Sequence, residues 1–290
     1  MSSTSPSKYL PLTRTSEIPH LAFVTDGQLY QVIGIAIIIN SLLRYAHPIV
    51  YRNPIWIVTP QSVVNKTSDY LLAGCGPLDF RFLVGESRLD DKYYIQLGVT
   101  EVFEQVDAED LVLYLDYDHV VLDPAKFTYF SKKSAVEVSS EVNQRTLIEL
   151  RDHINKGENN TDLPSRHLNT SLIYGQASEL QKIGSHWVKA YNDLALLVPI
   201  RNRTELAFTL AAELARVTVL PCDSVIQANF AEPNSACCVF HYGGDSSSAL
   251  FMKNLLITLS DKLTSNLTHD DVAYIATELI NALTSILSPE

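Results

Sequence analysis

The chain has 290 residues, of which 46% are hydrophobic and 19% charged, a composition typical of a globular protein with a large core. Its net charge of −11 argues against nucleic acid as a partner, because proteins that bind nucleic acid concentrate positive charge. Four cysteines without a CxxC pair favour reduced thiols in a cytoplasmic setting. The N-terminus lacks a signal peptide's apolar core, and no apolar run reaches the roughly 18 residues of a membrane span.

Strand and helix patterns alternate from residue 20 onward. Strands are predicted at 20–26, 54–59, 80–84 and 111–115, and helices at 31–45, 63–73 and 93–105. This alternation is typical of an α/β domain with a mainly parallel sheet, in which ligands bind beyond the carboxyl ends of the strands. The polar residues at those ends, Thr25-Asp26, Thr59 and 116–118, are therefore expected to converge on one crevice.

The second half of the chain continues with less regular elements. Strands are predicted at 135–140, 167–175 and 217–220, and helices at 144–155, 180–196 and 203–215, the last with Thr204 as its cap. We expect three parts: a flexible tail at 1–19, one domain at 20–245 and a helical extension at 246–290. An apolar stripe in the extension predicts that it packs on the domain, with a homodimer contact or a membrane surface as alternatives.

The central motif of the sequence is the run from Leu111 to Pro124, in which five apolar residues precede Asp116, Tyr117 and Asp118. In an extended strand the two acids would project to the same side, where their charges repel unless a cation lies between them. Mg²⁺ and Mn²⁺ prefer such hard oxygen ligands and bridge them to substrate phosphates. The motif thus predicts a divalent metal site, with a solvated strand end as the alternative.

Two further groups of residues are candidates for ligand binding. His241 follows an apolar run and precedes Gly243 and Gly244; it is either a structural histidine or a third metal ligand, which would favour Mn²⁺. Asp26 and Tyr30 are either a helix cap and a core aromatic, or an acceptor and a stacking ring for a nucleobase.

The order of these motifs resembles the GT-A glycosyltransferases, especially the glycogenin-like and bacterial lipopolysaccharide sugar transferases of family 8. The resemblance covers roughly residues 21–244. It rests on five segments: Phe23-Val24-Thr25-Asp26 with Tyr30 and the helix end Ser41-Leu42-Leu43, Tyr114-Leu115-Asp116-Tyr117-Asp118, Asn169-Thr170-Ser171, Glu205 followed by Leu220-Pro221, and His241-Tyr242-Gly243.

This resemblance implies a GT-A fold and transfer of a sugar from a nucleotide sugar, expected to be a UDP-sugar, to a glycan or other hydroxyl acceptor. Asp116, Asp118 and His241 would hold the Mn²⁺ or Mg²⁺ ion, and Asp26 and Tyr30 the uracil. The implied donor contacts are Val24, Thr25, Asp26, Tyr30, Lys92, Asp116, Tyr117, Asn169, Ser171, Gly243 and Gly244. Asn169 and Glu205 are the catalytic candidates, and Asp223 is a further candidate base for an inverting reaction.

The sequence departs from the family pattern at two places. Ser171 stands where the family has glycine after Asn-Ser/Thr, and Gly243-Gly244 follows His241 where the family has Lys-Pro-Trp. Two other functions remain open: a haloacid-dehalogenase-like phosphatase with Asp116 as nucleophile, and a non-catalytic nucleotide-sugar-binding domain. The phosphatase motif normally follows the first strand, whereas here three predicted strands precede it.

Overall fold

The computed structural model describes residues 18–44, 49–88, 91–121, 135–141, 147–148, 163–196, 198–222, 225–227 and 239–241, together with Asn254 and Tyr274. The strands are β1 (His20–Val24), β2 (Ile55–Thr59), β3 (Phe80–Val84), β4 (Leu111–Leu115), β5 (His119–Val121), β6 (Val136–Glu141), β7 (Leu168–Gln176), β8 (Val219–Pro221), β9 (Val225–Gln227) and β10 (Val239–His241). The α-helices are α1 (Leu29–Arg44), α2 (Ile49–Arg52), α3 (Val64–Cys75), α4 (Val99–Gln105), α5 (Ala177–Asp193) and α6 (Ile200–Ala215).

Seven strands form the central sheet, in the order β3-β2-β1-β4-β7-β6-β8. Strands β1 to β4 are mutually parallel, β7 runs antiparallel to both of its neighbours, and β6 and β8 are parallel. The prediction of an α/β fold with a mainly parallel sheet is confirmed. A smaller sheet, in the order β5-β10-β9, lies beyond the carboxyl end of β4.

Helices cover both faces of the central sheet, so its strands are buried on both sides. All five residues of β4 are buried, as its uniformly apolar sequence predicts. Alternate residues of β1 serve the two cores: Leu21 and Phe23 pack with α1 and α3, whereas Ala22 and Val24 pack with the side covered by α4, α5 and α6. Burial on both faces leaves the strand ends as the place where polar groups collect.

The structure corrects two local predictions. Strand β4 ends at Leu115, and Tyr117 and Asp118 form a turn, so the expectation that both acids project from one extended strand is wrong. Helix α6 begins at Ile200 after Pro199, and Thr204 is therefore not its cap. Proline is well suited to a helix start because the first amides have no partner within the helix.

Several predicted parts lie outside the described residues. The tail at 1–19 is described only for Ile18 and Pro19, both of which are buried, and the extension at 246–290 only for Asn254 and Tyr274. The predicted helix at 144–155 is described at 147–148, which is helical. Among the helices that the structure describes, none has the length and apolar character to cross a bilayer.

Helix α1 lies directly against the turn that carries the two acids. A Cβ added at Gly34 would lie 2.3 Å from the main-chain oxygen of Tyr117, closer than any real packing contact. Only glycine permits this approach, so Gly34 sets the position of the turn relative to α1.

We therefore expect Gly34→Ala to lower the free energy of unfolding by about 1–3 kcal/mol, the usual cost of overpacking, despite alanine's higher helix propensity. Urea denaturation would measure the change. Gly184→Ala in α5 is the matched control, because its new Cβ would meet side-chain atoms only, those of Thr100 at 3.3 and 3.4 Å and of Phe103 at 3.7 Å. Equal stabilities of the two variants would contradict a tight contact at Gly34.

Candidate active site

The elements that carry the candidate residues meet at the carboxyl edge of β1 and β4. The Asp116 amide donates to the Ser171 carbonyl oxygen at 2.8 Å, which joins the turn after β4 to the start of β7. In the small sheet His241 is the direct antiparallel partner of His119. These pairings bring together residues that are far apart in the sequence, as the resemblance predicts for Asp118, Ser171 and His241.

Asp118 faces two stacked imidazole rings. Its Oδ1 atom lies 3.3 Å from His241 Nε2 and 3.8 Å from His119 Nδ1, and the two ring centroids are 4.5 Å apart with planes 13° apart. Each of the three residues offers a metal-ligating atom within 4.8 Å of the others. Asp118 Oδ1 is buried and makes no well-aligned hydrogen bond with any residue that the structure describes. A carboxylate with two imidazoles is a donor set suited to a transition-metal ion such as Mn²⁺.

Burial and mutual charge set the protonation of this group. Burial and the charge of His241 lower the pKa of His119 to about 3, so this imidazole is neutral. Burial alone would raise the pKa of Asp118, but the facing His241 and His119 hold it below its ordinary value. Burial would lower the pKa of His241, but the Asp118 carboxylate outweighs it and the pKa is raised. Asp118 is thus the anionic centre of the cluster.

Asp116 is held by its neighbours in a different way from Asp118. The Tyr114 hydroxyl donates to its Oδ1, and His119 Nδ1 donates to its main-chain oxygen at 2.9 Å. Burial, together with the charge of Asp118, raises the pKa of Asp116 to about 8. Because His119 carries its proton on Nδ1, its Nε2 is an acceptor, and this buried atom has no hydrogen-bond partner among the described residues.

A chain of hydrogen bonds connects Asn169 through Ser139 and Ser171 to His241. Ser139 Oγ donates to Asn169 Oδ1 at 2.6 Å, and Ser171 Oγ lies 3.0 Å from Ser139 Oγ and 3.3 Å from His241 Nδ1. The Ser171 amide also donates to Asn169 Oδ1 at 2.9 Å. Since Oδ1 of Asn169 accepts twice, its amide nitrogen is the atom left to donate to a ligand.

The turn between β1 and α1 orders the predicted nucleobase contacts. Gln31 Oε1 accepts from Thr25 Oγ1 at 2.8 Å and from the Asp26 amide at 2.9 Å, and Asp26 Oδ1 accepts from the Gln28 amide at 3.0 Å. The rings of Tyr30 and Tyr117 meet edge to face, with centroids 5.5 Å apart. Asp26 and both tyrosines are partly exposed, whereas the predicted contacts Val24 and Thr25 are almost fully buried.

Glu205 and His167 form a second polar pair near the cluster. His167 Nε2 donates to Glu205 Oε2 at 2.7 Å, and His167 is buried while the Glu205 side chain is 23% exposed. The charge of Glu205 acts on both Asp116 and His241, raising the pKa of each. Through His167, Glu205 is joined to the segment that directly precedes β7, the strand that carries Asn169.

Of the remaining predicted site residues, the structure describes only Lys92. Lys92 is exposed, and its ammonium group lies 5.0 Å from the centroid of the Tyr93 ring. Gly243, Gly244 and Asp223 lie outside the described residues.

Four residues of the site were missed by the sequence analysis: His119, Ser139, Gln31 and His167. His119 directly follows the acidic motif, and this position in the sequence is the signal that could have identified it. His167 opens the predicted strand at 167–175 and carried a similar signal. Ser139 lies where the register between β6 and β7 shifts, and such an irregularity redirects a side chain without any mark in the sequence.

Solved structures of glycosyltransferases have a similar fold. The galactosyltransferase LgtC in complex with donor and acceptor sugar analogues superposes with a TM-score of 0.52 at 15% identity, covering 85% of this chain and 96% of LgtC. An active-site mutant of LgtC gives a TM-score of 0.54 with the same identity and coverage. The chain has the GT-A-like fold of these glycosyltransferases. The prediction of that fold class is confirmed.

The GT-A-like fold also extends over a part of a larger enzyme. The bifunctional glycosyltransferase WbbM in its apo form gives a TM-score of 0.50 at 14% identity, covering 94% of this chain and 53% of WbbM. No protein-family model and no curated protein sequence matches the chain. At such low identities the likeness establishes the fold, and the chemistry has to be argued from the site.

Proposed function

We propose that the protein is a metal-dependent glycosyltransferase that transfers a sugar from a nucleotide sugar, expected to be a UDP-sugar, to a hydroxyl acceptor. The observation that carries this proposal is the placement of Asp118 against His119 and His241 at the carboxyl edge of a GT-A-like sheet. In such sheets ligands bind at this edge. The predicted acceptor class is a glycan or another molecule that offers a hydroxyl group.

The residues at the cluster fit a divalent cation. Among the described residues, Asp118 Oδ1 is a buried anionic oxygen without a well-aligned hydrogen bond, and His241 faces it with Nε2. The unprotonated Nε2 of His119 is the second candidate nitrogen donor. This mixed set favours Mn²⁺ over Mg²⁺, which prefers an all-oxygen shell. A cation held by Asp118 and His241, with Asp116 as the predicted further ligand, would supply Lewis acidity to the donor's diphosphate.

The base and the sugar of the donor would occupy opposite sides of this cluster. Asp26, ordered by Gln28, would accept a hydrogen bond from the base, and the Tyr30 and Tyr117 rings would form the wall beside it. Asn169 would direct its amide nitrogen to a sugar hydroxyl, because its oxygen is already engaged.

Glu205 is the proposed catalytic carboxylate, and His167 holds it. In the reaction the bond between the anomeric carbon and the diphosphate oxygen breaks, and the acceptor oxygen bonds to that carbon. The acceptor's hydroxyl proton passes to Glu205 if configuration is inverted, or to the departing diphosphate if it is retained. In the second case Glu205 stabilises positive charge on the sugar instead.

The phosphatase alternative lacks comparable support. Its mechanism needs a further acidic residue beside the nucleophile. Asp91, which belongs to an adjacent acidic pair in the sequence, is engaged elsewhere. The Tyr191 hydroxyl donates to Asp91 Oδ2 at 2.5 Å, and Arg203 lies 3.3 Å from the same oxygen.

Loss of the central carboxylate tests the metal site. We expect Asp118→Asn to lower Mn²⁺-dependent release of UDP from a panel of UDP-sugars by on the order of 100-fold or more, because charge stabilisation at the diphosphate is lost. Asp110→Asn is the matched control: Asp110 also lies beside a histidine, 3.4 Å from His20, but at the opposite edge of the sheet. Undiminished turnover by a folded Asp118→Asn protein would remove Asp118 from the site.

Loss of the second carboxylate tests the role of Glu205. We expect Glu205→Gln to lower kcat by about 100-fold or more if the group is a general base, with the donor KM and Mn²⁺ affinity close to those of the unchanged protein. Steady-state kinetics and Mn²⁺ titration measure the three quantities. Glu179→Gln is the control, because Glu179 pairs with Lys182 on the outer face of α5. An unchanged kcat would exclude Glu205 from the chemistry.

A further inference from the structure

Ser171 occupies the place at which the sequence departs from the glycosyltransferase pattern, and the structure gives it a partner on each side. Its hydroxyl lies 3.3 Å from His241 Nδ1 and 3.0 Å from Ser139 Oγ. Ser139 in turn donates to Asn169 Oδ1 at 2.6 Å. A continuous path of hydrogen-bonding groups thus joins a metal-ligating residue to the residue that faces the sugar.

We propose that Ser171 and Ser139 form a relay that positions His241 for the metal ion and Asn169 for the donor sugar. This inference rests on the proposed function and adds two positioning residues to it. The relay also predicts that sugar recognition and metal binding are energetically coupled, because both depend on one set of hydroxyl groups.

All hydrogen bonds of the relay donate in the same direction, from His241 towards Asn169. Ser139 gives its proton to Asn169 Oδ1, so its oxygen accepts from Ser171, and the Ser171 oxygen then accepts from His241 Nδ1. His241 therefore carries a proton on Nδ1 and directs Nε2 towards Asp118 Oδ1, at 3.3 Å. Fixing a ligand histidine's tautomer and ring orientation through its other nitrogen is a general requirement for tight metal binding.

Burial makes these hydrogen bonds necessary. The exposed fractions of Ser139, Ser171 and His241 are 1%, 4% and 7%, so water does not compete for the hydroxyl groups. A buried hydroxyl without a partner is destabilising, which commits each serine to the neighbour that it has. An alanine at either position would break the path without adding a competing group.

Titration with Mn²⁺ alone, followed by electron paramagnetic resonance, tests the first half of the relay without any substrate. We expect Ser171→Ala to weaken Mn²⁺ binding by about 10-fold or more, the usual effect of losing a group that orients a ligand histidine. Ser41→Ala is the matched control: Ser41 is 1% exposed and donates to the Ile38 carbonyl oxygen within α1. This control should bind Mn²⁺ like the unchanged protein.

Comparing UDP with a turned-over UDP-sugar in the presence of Mn²⁺ tests the second half. We expect Ser139→Ala to weaken binding of the UDP-sugar by about 10-fold while leaving UDP binding within about 3-fold, because only the sugar contacts Asn169. Calorimetry measures both affinities. Equal losses for UDP and the UDP-sugar would overturn the link to the sugar.

The outcomes separate the relay from the proposed function. Unchanged Mn²⁺ affinity in a folded Ser171→Ala protein overturns the relay and leaves the metal site intact. Absence of Mn²⁺ binding by the unchanged protein overturns both. If Ser171→Ala fails to fold, Ser171→Cys keeps the side-chain shape in a slightly larger volume with a weaker hydrogen bond, and unchanged Mn²⁺ affinity in that variant would likewise overturn the relay.

Discussion

The fold places an anionic carboxylate at the end of a strand that is buried on both faces, and the surrounding structure compensates for its burial. Removing a carboxylate from water costs several kcal/mol unless opposite charge and hydrogen bonds replace the lost hydration. Burial alone would raise the pKa of Asp118, and the facing imidazoles of His241 and His119 more than offset this effect. Because His241 lies on β10, the site is complete only when β10 pairs with β5.

The small sheet and α1 both fix the position of the turn that carries Asp118. Antiparallel pairing of β5 with β10 sets His241 opposite His119. The two rings stack on each other, and a nitrogen of each faces Asp118 Oδ1. On the other side, contact between Gly34 and the Tyr117 carbonyl keeps the turn against α1. The turn is thus clamped between a helix and a sheet, so the position of Asp118 is set by packing as well as by charge.

The sequence predicts those features that depend on residues close together in the chain, and not those that depend on partners from distant strands. Apolar runs such as Leu111–Leu115 predict their strands well, because burial on both faces leaves a local mark in the sequence. Asp118 and His241 could be chosen by motif. Ser139 could not, since its role depends on a register shift and on partners in β7. Thr204 has the side chain of a helix cap, but α6 begins at Ile200, directly after Pro199, so Thr204 lies within the helix.

The site residues share one arrangement that connects these observations. In each case a neighbouring residue of the protein holds the side chain in place through a hydrogen bond. The pairs are Asp26 with Gln28, Asn169 with Ser139, His241 with Ser171, and Glu205 with His167. Such support fixes orientation before a ligand arrives, which lowers the ordering cost of binding and favours charge stabilisation in the transition state. The serine at position 171 therefore does work that a glycine could not do: it supplies the hydroxyl through which two of these pairs become one network.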